Sequence, residues 1–210
     1  AARPGLRQYH LLYDGPVRLI RTLDQDELLD AFESRLHHLV AIGSTNLFFH
    51  AGVVGWKGRA ILLPGKTLAG KTTLVTALMR AGAEYYSDEF AVIDRTGRVH
   101  PYPKPLGVRA NGTIKQERRS ASELGGKVGQ RPIPVGAVVV SRYREGAGWR
   151  PRAITAGQAM LTLLGHCASA QRSPGVAVQT VKRMVSDAVL IRGIRGEAEE
   201  AALQILRRMD

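Results

Sequence analysis

The chain reads as a mixed, β-rich α/β fold, and three observations carry that reading. Short apolar runs rich in β-branched residues recur along it, several joined by tight-turn sequences such as Gly55-Trp56-Lys57-Gly58 and Arg95-Thr96-Gly97. Segments of helical periodicity are interleaved with those runs. The run Ala60 to Leu63 leads through a glycine-bounded loop straight into an amphipathic helix. With 210 residues and 44% hydrophobic content, there is enough chain for one full core and a small elaboration.

The elements follow in order. Residues 8–22 alternate loosely as two short strands about Asp14-Gly15-Pro16. Asp24 to Leu39 reads as a helix, with Leu28, Leu29, Phe32, Leu36 and Leu39 at helical spacing and acids in its first turn. Residues 1–45 are thus expected to form an N-terminal α+β elaboration, and 46–210 the main domain. Asn46 to Val54 and Arg59 to Leu63 make the strands of one hairpin. The helix Thr72 to Arg80 keeps Leu74, Val75, Leu78 and Met79 on its apolar side, and Gly82 suits its C-cap. Glu84 to Tyr86 and Phe90 to Asp94 follow as strands, with a return strand near Arg98 to Tyr102. Residues 103–134 hold several prolines and glycines and little periodicity beyond a short helix expected around 113–119. A mobile loop over 107–134 is the expectation. Val135 to Val140 is a strand by its β-branched run. Thr155 and Gln158 form a capping box that opens a helix through Leu164. A helix over Val176 to Val185, a strand over Ala188 to Ile191 and a helix over Glu197 to Arg208 complete the chain.

Thirty Lys and Arg against eighteen Asp and Glu leave a formal net charge of +12. Such a surface draws anions: nucleotide, nucleic acid, or an acidic protein or peptide. The basic residues concentrate locally at Lys115, Arg118 and Arg119. No aromatic side chains interleave with them, which argues against a nucleic-acid stacking platform. No apolar run approaches the length of a membrane-spanning helix. The single cysteine, Cys167, excludes an intramolecular disulfide and fits a reducing cytoplasm. It lies in an apolar helical pattern that suits a buried structural thiol.

Gly65 to Thr72, Gly-Lys-Thr-Leu-Ala-Gly-Lys-Thr, fills every fixed place of the pattern G-x-x-x-x-G-K-[ST]. Gly65 and Gly70 let successive N–H groups curl towards phosphate oxygens. Lys66, Thr67, Leu68, Ala69 and Thr73 complete the expected cradle. Lys71 would reach the β- and γ-phosphates of ATP, and the Thr72 hydroxyl would hold Mg²⁺. The helix that follows turns its positive dipole end to the same place. Asp88 and Glu89 stand at the end of the next strand, where the chain returns beside the loop. Neighbours on extended backbone point opposite ways, so one carboxylate would face metal and the other an acceptor. A solvated acidic turn is the plainer alternative. His50, in the apolar strand before the hairpin, is either a core residue or, if it meets Asp88, a group that orients that carboxylate.

His50 ahead of the loop, one helix after it with a glycine at its end, and Ser87-Asp88-Glu89 beyond together resemble the catalytic domain of HPr kinase/phosphorylase. They also resemble the wider group of HPr-kinase-like serine kinases. The likeness is strongest over 46–108 and extends through Val135 to Val140 into the helical C-terminal part. It implies a β-rich P-loop fold similar to that of phosphoenolpyruvate carboxykinase. It also implies an ATP- and Mg²⁺-dependent kinase for a serine hydroxyl on a peptide or protein. By that resemblance Lys71 and Thr72 contact nucleotide and metal, Asp88 is the general base, Glu89 assists Mg²⁺ and His50 supports Asp88. The family's second Asp is Glu89 here. The family's HPr-docking segment has no counterpart in the basic stretch 103–134. The expected acceptor is a serine on a peptide or protein, as in similar kinases beside peptide-modification pathways; Lys115, Arg118 and Arg119 either capture an acidic acceptor or belong to a plain solvated basic loop. Assembly into an oligomer is compatible with all of this. A small-molecule kinase with the same loop and a non-catalytic nucleotide-binding regulator stay open as alternatives.

Overall fold

Gly15, at φ 57°, turns β1 (His10–Asp14) back into β2 (Val17–Thr22), an antiparallel pair with a register shift at Leu12/Tyr13. Helix α1 (Gln25–Gly43) follows. Its N-cap Asp24 accepts a 2.8 Å hydrogen bond from the Asp26 N–H, and Asp26 and Glu27 fill the first turn. An ion pair between Arg35 and Asp14 ties helix to hairpin. These elements make up the first of two units, Ala1–Ser44 and Thr45–Asp210. The structure, a computed structural model, describes residues 7–65, 69–109 and 116–210, without the side chains of Arg109 and Gln116.

The second unit opens with β3 (Leu47–Trp56) and β4 (Arg59–Pro64). Lys57 and Gly58 join them with left-handed backbone, φ 47° and 75°, as a two-residue hairpin turn demands. The remaining elements are α2 (Lys71–Arg80), β5 (Glu84–Ser87), β6 (Phe90–Ile93), β7 (Arg98–His100), β8 (Leu106–Arg109) and β9 (Gln116–Arg119). Then come β10 (Ile133–Tyr143), β11 (Arg152–Ala153), α3 (Ala156–Leu164), α4 (Pro174–Val185), β12 (Val189–Arg195) and α5 (Ala198–Arg207). Eight strands form the central sheet in the order β11-β12-β10-β4-β3-β6-β7, with β5 on β3 and a further β10–β7 pairing. Pairing is parallel at β12–β10 and β10–β4 and antiparallel elsewhere in that sheet. The mixed, β-rich α/β class expected from the sequence is the class adopted.

Alternation along the central strands explains their composition. Ile61 and Leu63 face a core shared with Leu74, Leu78, Ala202 and Ile205 of α2 and α5. Ala60 and Leu62 face a second core with Ala159, Leu163, Ala177 and Val181 of α3 and α4. A strand covered on both faces has to be apolar at every position, so β4 reads as an unbroken run. Among the described residues no helix is long and apolar enough to cross a membrane.

Three expectations need correction. The helix around 113–119 is not formed over its described part: Gln116–Arg119 is β9, paired antiparallel with β8, whose Leu106 is fully buried. The stretch 120–134, largely exposed, is anchored to β5 rather than running as an unattached loop. Tyr85 N–H donates to the Lys127 carbonyl at 2.6 Å, Gly129 N–H donates to the Tyr85 carbonyl at 2.9 Å, and Ala121 is buried. Its glycines serve close approach: a Cβ on Gly129 would lie 2.0 Å from the Tyr86 ring. The strand expected to stop at Ile191 runs on to Arg195. Gly193 permits this, because Trp149 lies where its Cβ would be, 2.8 Å away. Cys167 is half-buried, and burial pushes its thiol pKa up.

Candidate functional site

Halfway along one edge, β3 changes partner. Leu47–His50 pair with β6, and Val53–Gly55 pair with β5. The link between β5 and β6 is Asp88-Glu89, so the two carboxylates stand beside the middle of β3. There the Glu89 carbonyl accepts from the Ala51 N–H at 3.3 Å. At the other edge of β3, β4 ends at Pro64, and the Gly65 N–H donates to the His50 carbonyl at 3.3 Å. The glycine loop and the acidic pair thus flank the same few residues of β3. Gly52 makes that approach feasible. A Cβ there would fall 2.7 Å from Val75 Cγ2 on α2 and 3.7 Å from Asp88 Oδ1.

The side chains meet across this gap. Thr72 Oγ1, in the first turn of α2, donates to Asp88 Oδ2 at 2.6 Å. Asp88 Oδ1 is buried without a hydrogen-bond partner. Burial pushes the Asp88 carboxyl pKa above its ordinary value, opposed by the Thr72 hydrogen bond and the Lys71 charge, while the Glu89 charge adds to the rise. Lys71 Nζ donates to the Gly65 carbonyl at 2.9 Å, closing the loop on itself. Burial lowers the Lys71 pKa, and the charges of Asp88 and Glu89 pull it back up. Gly70 caps α2 in the left-handed region, φ 77°, and no side chain caps the helix's first N–H groups.

The other expected site residues are placed as follows. Ala69 is half-buried, with its Cβ 3.3 Å from where a Cβ on Gly65 would be, and Thr73 is exposed on α2. Lys66, Thr67, Leu68 and Lys115 lie outside the described residues. The exposed His50 ring lies against Phe90, centroids 4.6 Å apart. Glu89 Oε2 accepts from Lys104 Nζ at 2.6 Å. Arg118 and Arg119 are exposed on β9, and Arg119 pairs with Glu117 at 2.8 Å.

Two residues at this site were not anticipated. Lys104 is held by the Tyr85 hydroxyl, which donates to its carbonyl at 2.8 Å; the flanking Pro103 and Pro105 were its sole sequence signal. Arg195, 2% exposed at the end of β12, donates through Nη2 to the Gly70 carbonyl at 2.6 Å. Nothing local in the sequence marks it.

Thr72, Asp88 and Glu89 are hard oxygen donors. A buried, unpartnered carboxylate oxygen among them fits a small divalent cation such as Mg²⁺. Among the described residues no three His, Cys, Asp or Glu side chains gather to hold a metal unaided. Mg²⁺ ordinarily shares such a site with substrate phosphates. In chemical terms, a threonine hydroxyl and a lysine charge stand beside a carboxylate of raised proton affinity.

No protein-family profile matches the chain, and no curated protein does. Among solved structures it is similar to the Hpr(Ser) kinase/phosphatase from Coxiella burnetii. The sequence identity is 14%, the match covers 77% of this chain and 93% of that chain, and the TM-score is 0.41. At that identity and score the likeness bears no weight on function, which the residues themselves must carry.

Proposed function

We propose that the protein is an ATP- and Mg²⁺-dependent kinase that phosphorylates a serine hydroxyl on a peptide or protein in the cytoplasm. The observation that carries this is the hydrogen bond from Thr72 to Asp88. It joins the first turn of α2 to the acidic pair and leaves the other Asp88 oxygen buried and unpartnered. Binding a nucleotide needs the loop alone; a carboxylate of raised proton affinity beside it suits proton transfer.

Gly65 to Thr73 and the first amides of α2 would cradle the phosphates, with Lys71 at the β- and γ-oxygens. Thr72 and Glu89 would hold Mg²⁺, with Asp88 beside them. When bound, the ion supplies charge neutralisation at the β- and γ-phosphate oxygens. Asp88 holds the acceptor hydroxyl in line with the γ-phosphorus and takes its proton as the serine oxygen bonds to that phosphorus. The bond to the β,γ-bridging oxygen breaks. Phosphoserine, ADP and a protonated Asp88 result. Lys71 stabilises the charge that moves onto the leaving phosphate. Lys104 fixes the direction of Glu89.

The test is mass spectrometry of a serine-peptide library with acidic, neutral and basic flanks, incubated with Mg·ATP. Phosphoserine is expected with the wild type and not with Lys71→Ala. Transfer confined to small alcohols would make the enzyme a small-molecule kinase. Calorimetric ATP binding without any transfer would make it a regulator, and no binding would sink the nucleotide reading altogether.

A further inference from the structure

Arg195 is an unusual residue to bury. A guanidinium taken out of water ordinarily sits against a carboxylate. Here its hydrogen bonds go to two carbonyl oxygens: Nη2 to Gly70 at 2.6 Å and Nη1 to Gly196 at 3.1 Å. Its Nε is buried with no partner. The Tyr143 ring lies 5.5 Å from its Cζ, and Glu197 and Glu199 act on it only through space. Burial lowers its pKa. A positive charge is therefore held behind the glycine loop with incomplete compensation.

The sheet explains why it is there. Strands β4, β10 and β12 run parallel, and Tyr143 and Arg195 are register partners at the ends of β10 and β12. Their carboxyl ends open on one side, the side from which β4 feeds the glycine loop. Crevices at the carboxyl ends of parallel strands are where α/β sheets take their ligands. Gly70 completes the fit, because a Cβ there would lie 2.5 Å from Arg195 Nη2. The missing Cβ of this left-handed residue leaves the room that the guanidinium occupies.

Resting on the phosphate-loop reading above, we propose that Arg195 is the positioning residue of that loop. It draws the Gly70 carbonyl back so that the first amides of α2 face the anion, and its charge strengthens the loop's hold on polyphosphate. A turn from Gly70 into α2 that is already in its binding shape loses less freedom when the ligand arrives.

Wild type, R195M and R195K decide this. Amide hydrogen exchange of residues 69–74 is followed without nucleotide, and affinities for Mg·ATP and for inorganic tripolyphosphate are measured by calorimetry. In R195M the loop segment should exchange faster while α4 keeps its protection. Both ligands should bind about tenfold more weakly, the scale of one lost charge-assisted hydrogen bond. R195K keeps the charge but lacks the planar fork that reaches both carbonyls from separate nitrogens. It should recover part of the affinity and little of the protection. Folded R195M with wild-type exchange and affinity overturns the proposal. If R195M does not fold, R195K decides, and wild-type values in both measurements overturn it. A wild type that binds neither ligand overturns the kinase reading and this proposal together. Wild-type binding with an indifferent R195M overturns this proposal alone.

Discussion

Asp88 sets chemistry against stability. One of its carboxylate oxygens is buried with no donor, so ionising it opposes folding. Because the folded pKa lies above the ordinary 3.8, the stability linked to this group is full below that value. It is lost as pH rises through the raised folded value. At neutral pH Asp88→Asn should therefore melt at a higher temperature than wild type, and the gain should shrink on acidification into the ordinary carboxylate range. The same variant should lose roughly 10²–10⁴ in turnover, the scale of a general base, with ATP affinity nearly kept. Thermal melts across pH beside single-turnover rates check both halves. An Asn variant no more stable than wild type at neutral pH would mean that Asp88 is hydrated. His50 presents the opposite case. Its carbonyl anchors Gly65 while its exposed ring rests on Phe90. If the ring only packs, His50→Ala should cost about 1 kcal/mol or less, the worth of a ring contact, and leave turnover per folded molecule and its pH profile intact. A displaced acidic limb in the pH–rate profile would instead mean that the ring reaches Asp88 during turnover.

Between elements, the decisive contact is α2 on β3 at Gly52. A methyl there would stand 2.7 Å from Val75 Cγ2, too close for a core that cannot yield. Gly52→Ala should cost about 1–3 kcal/mol, the usual price of overpacking. It should also weaken turnover more than a remote destabilisation of equal size, because α2 carries Thr72. Chemical denaturation and kinetics on the same sample separate the two effects, and a silent Gly52→Ala would show that α2 can slide. This element pair also marks how far the sequence could be read. The glycine loop, the turn at Lys57-Gly58 and the Thr155–Gln158 capping box are complete within a few residues, so they are visible in a line of text. The return of Asp88-Glu89 to the loop follows from the order strand, loop, helix, strand. Lys104 and Arg195 are another matter. They reach partners 15 and 125 residues away, and the second separation far exceeds the roughly 11–18 residue windows in which periodicity is read. Composition also misled at Gly129, since a glycine that admits the Tyr86 ring looks the same in a sequence as one that loosens a loop.

At the scale of the whole molecule, the excess of thirty basic over eighteen acidic residues makes association with anions long-ranged and dependent on salt. Arg118 and Arg119 lie exposed on β9, one edge of the β8–β9 pair. The contact of Arg119 with Glu117 is no obstacle, because surface pairs of this kind contribute only about 0–1 kcal/mol. An arriving acidic peptide can therefore displace it at little cost. If these arginines draw the acceptor, replacing both with Ser should raise the KM for acidic serine peptides several-fold at low ionic strength. The KM for ATP should barely move, since that affinity is set by the loop and the first turn of α2. Near 0.15 M salt, where charges are screened beyond about 8 Å, wild type and variant should converge, because the exposed guanidinium groups then act only on what already touches them. Peptide kinetics over a salt series reads this directly. An acceptor KM indifferent both to the substitutions and to salt would remove β9 from the acceptor's path and leave the net charge to act elsewhere on the surface.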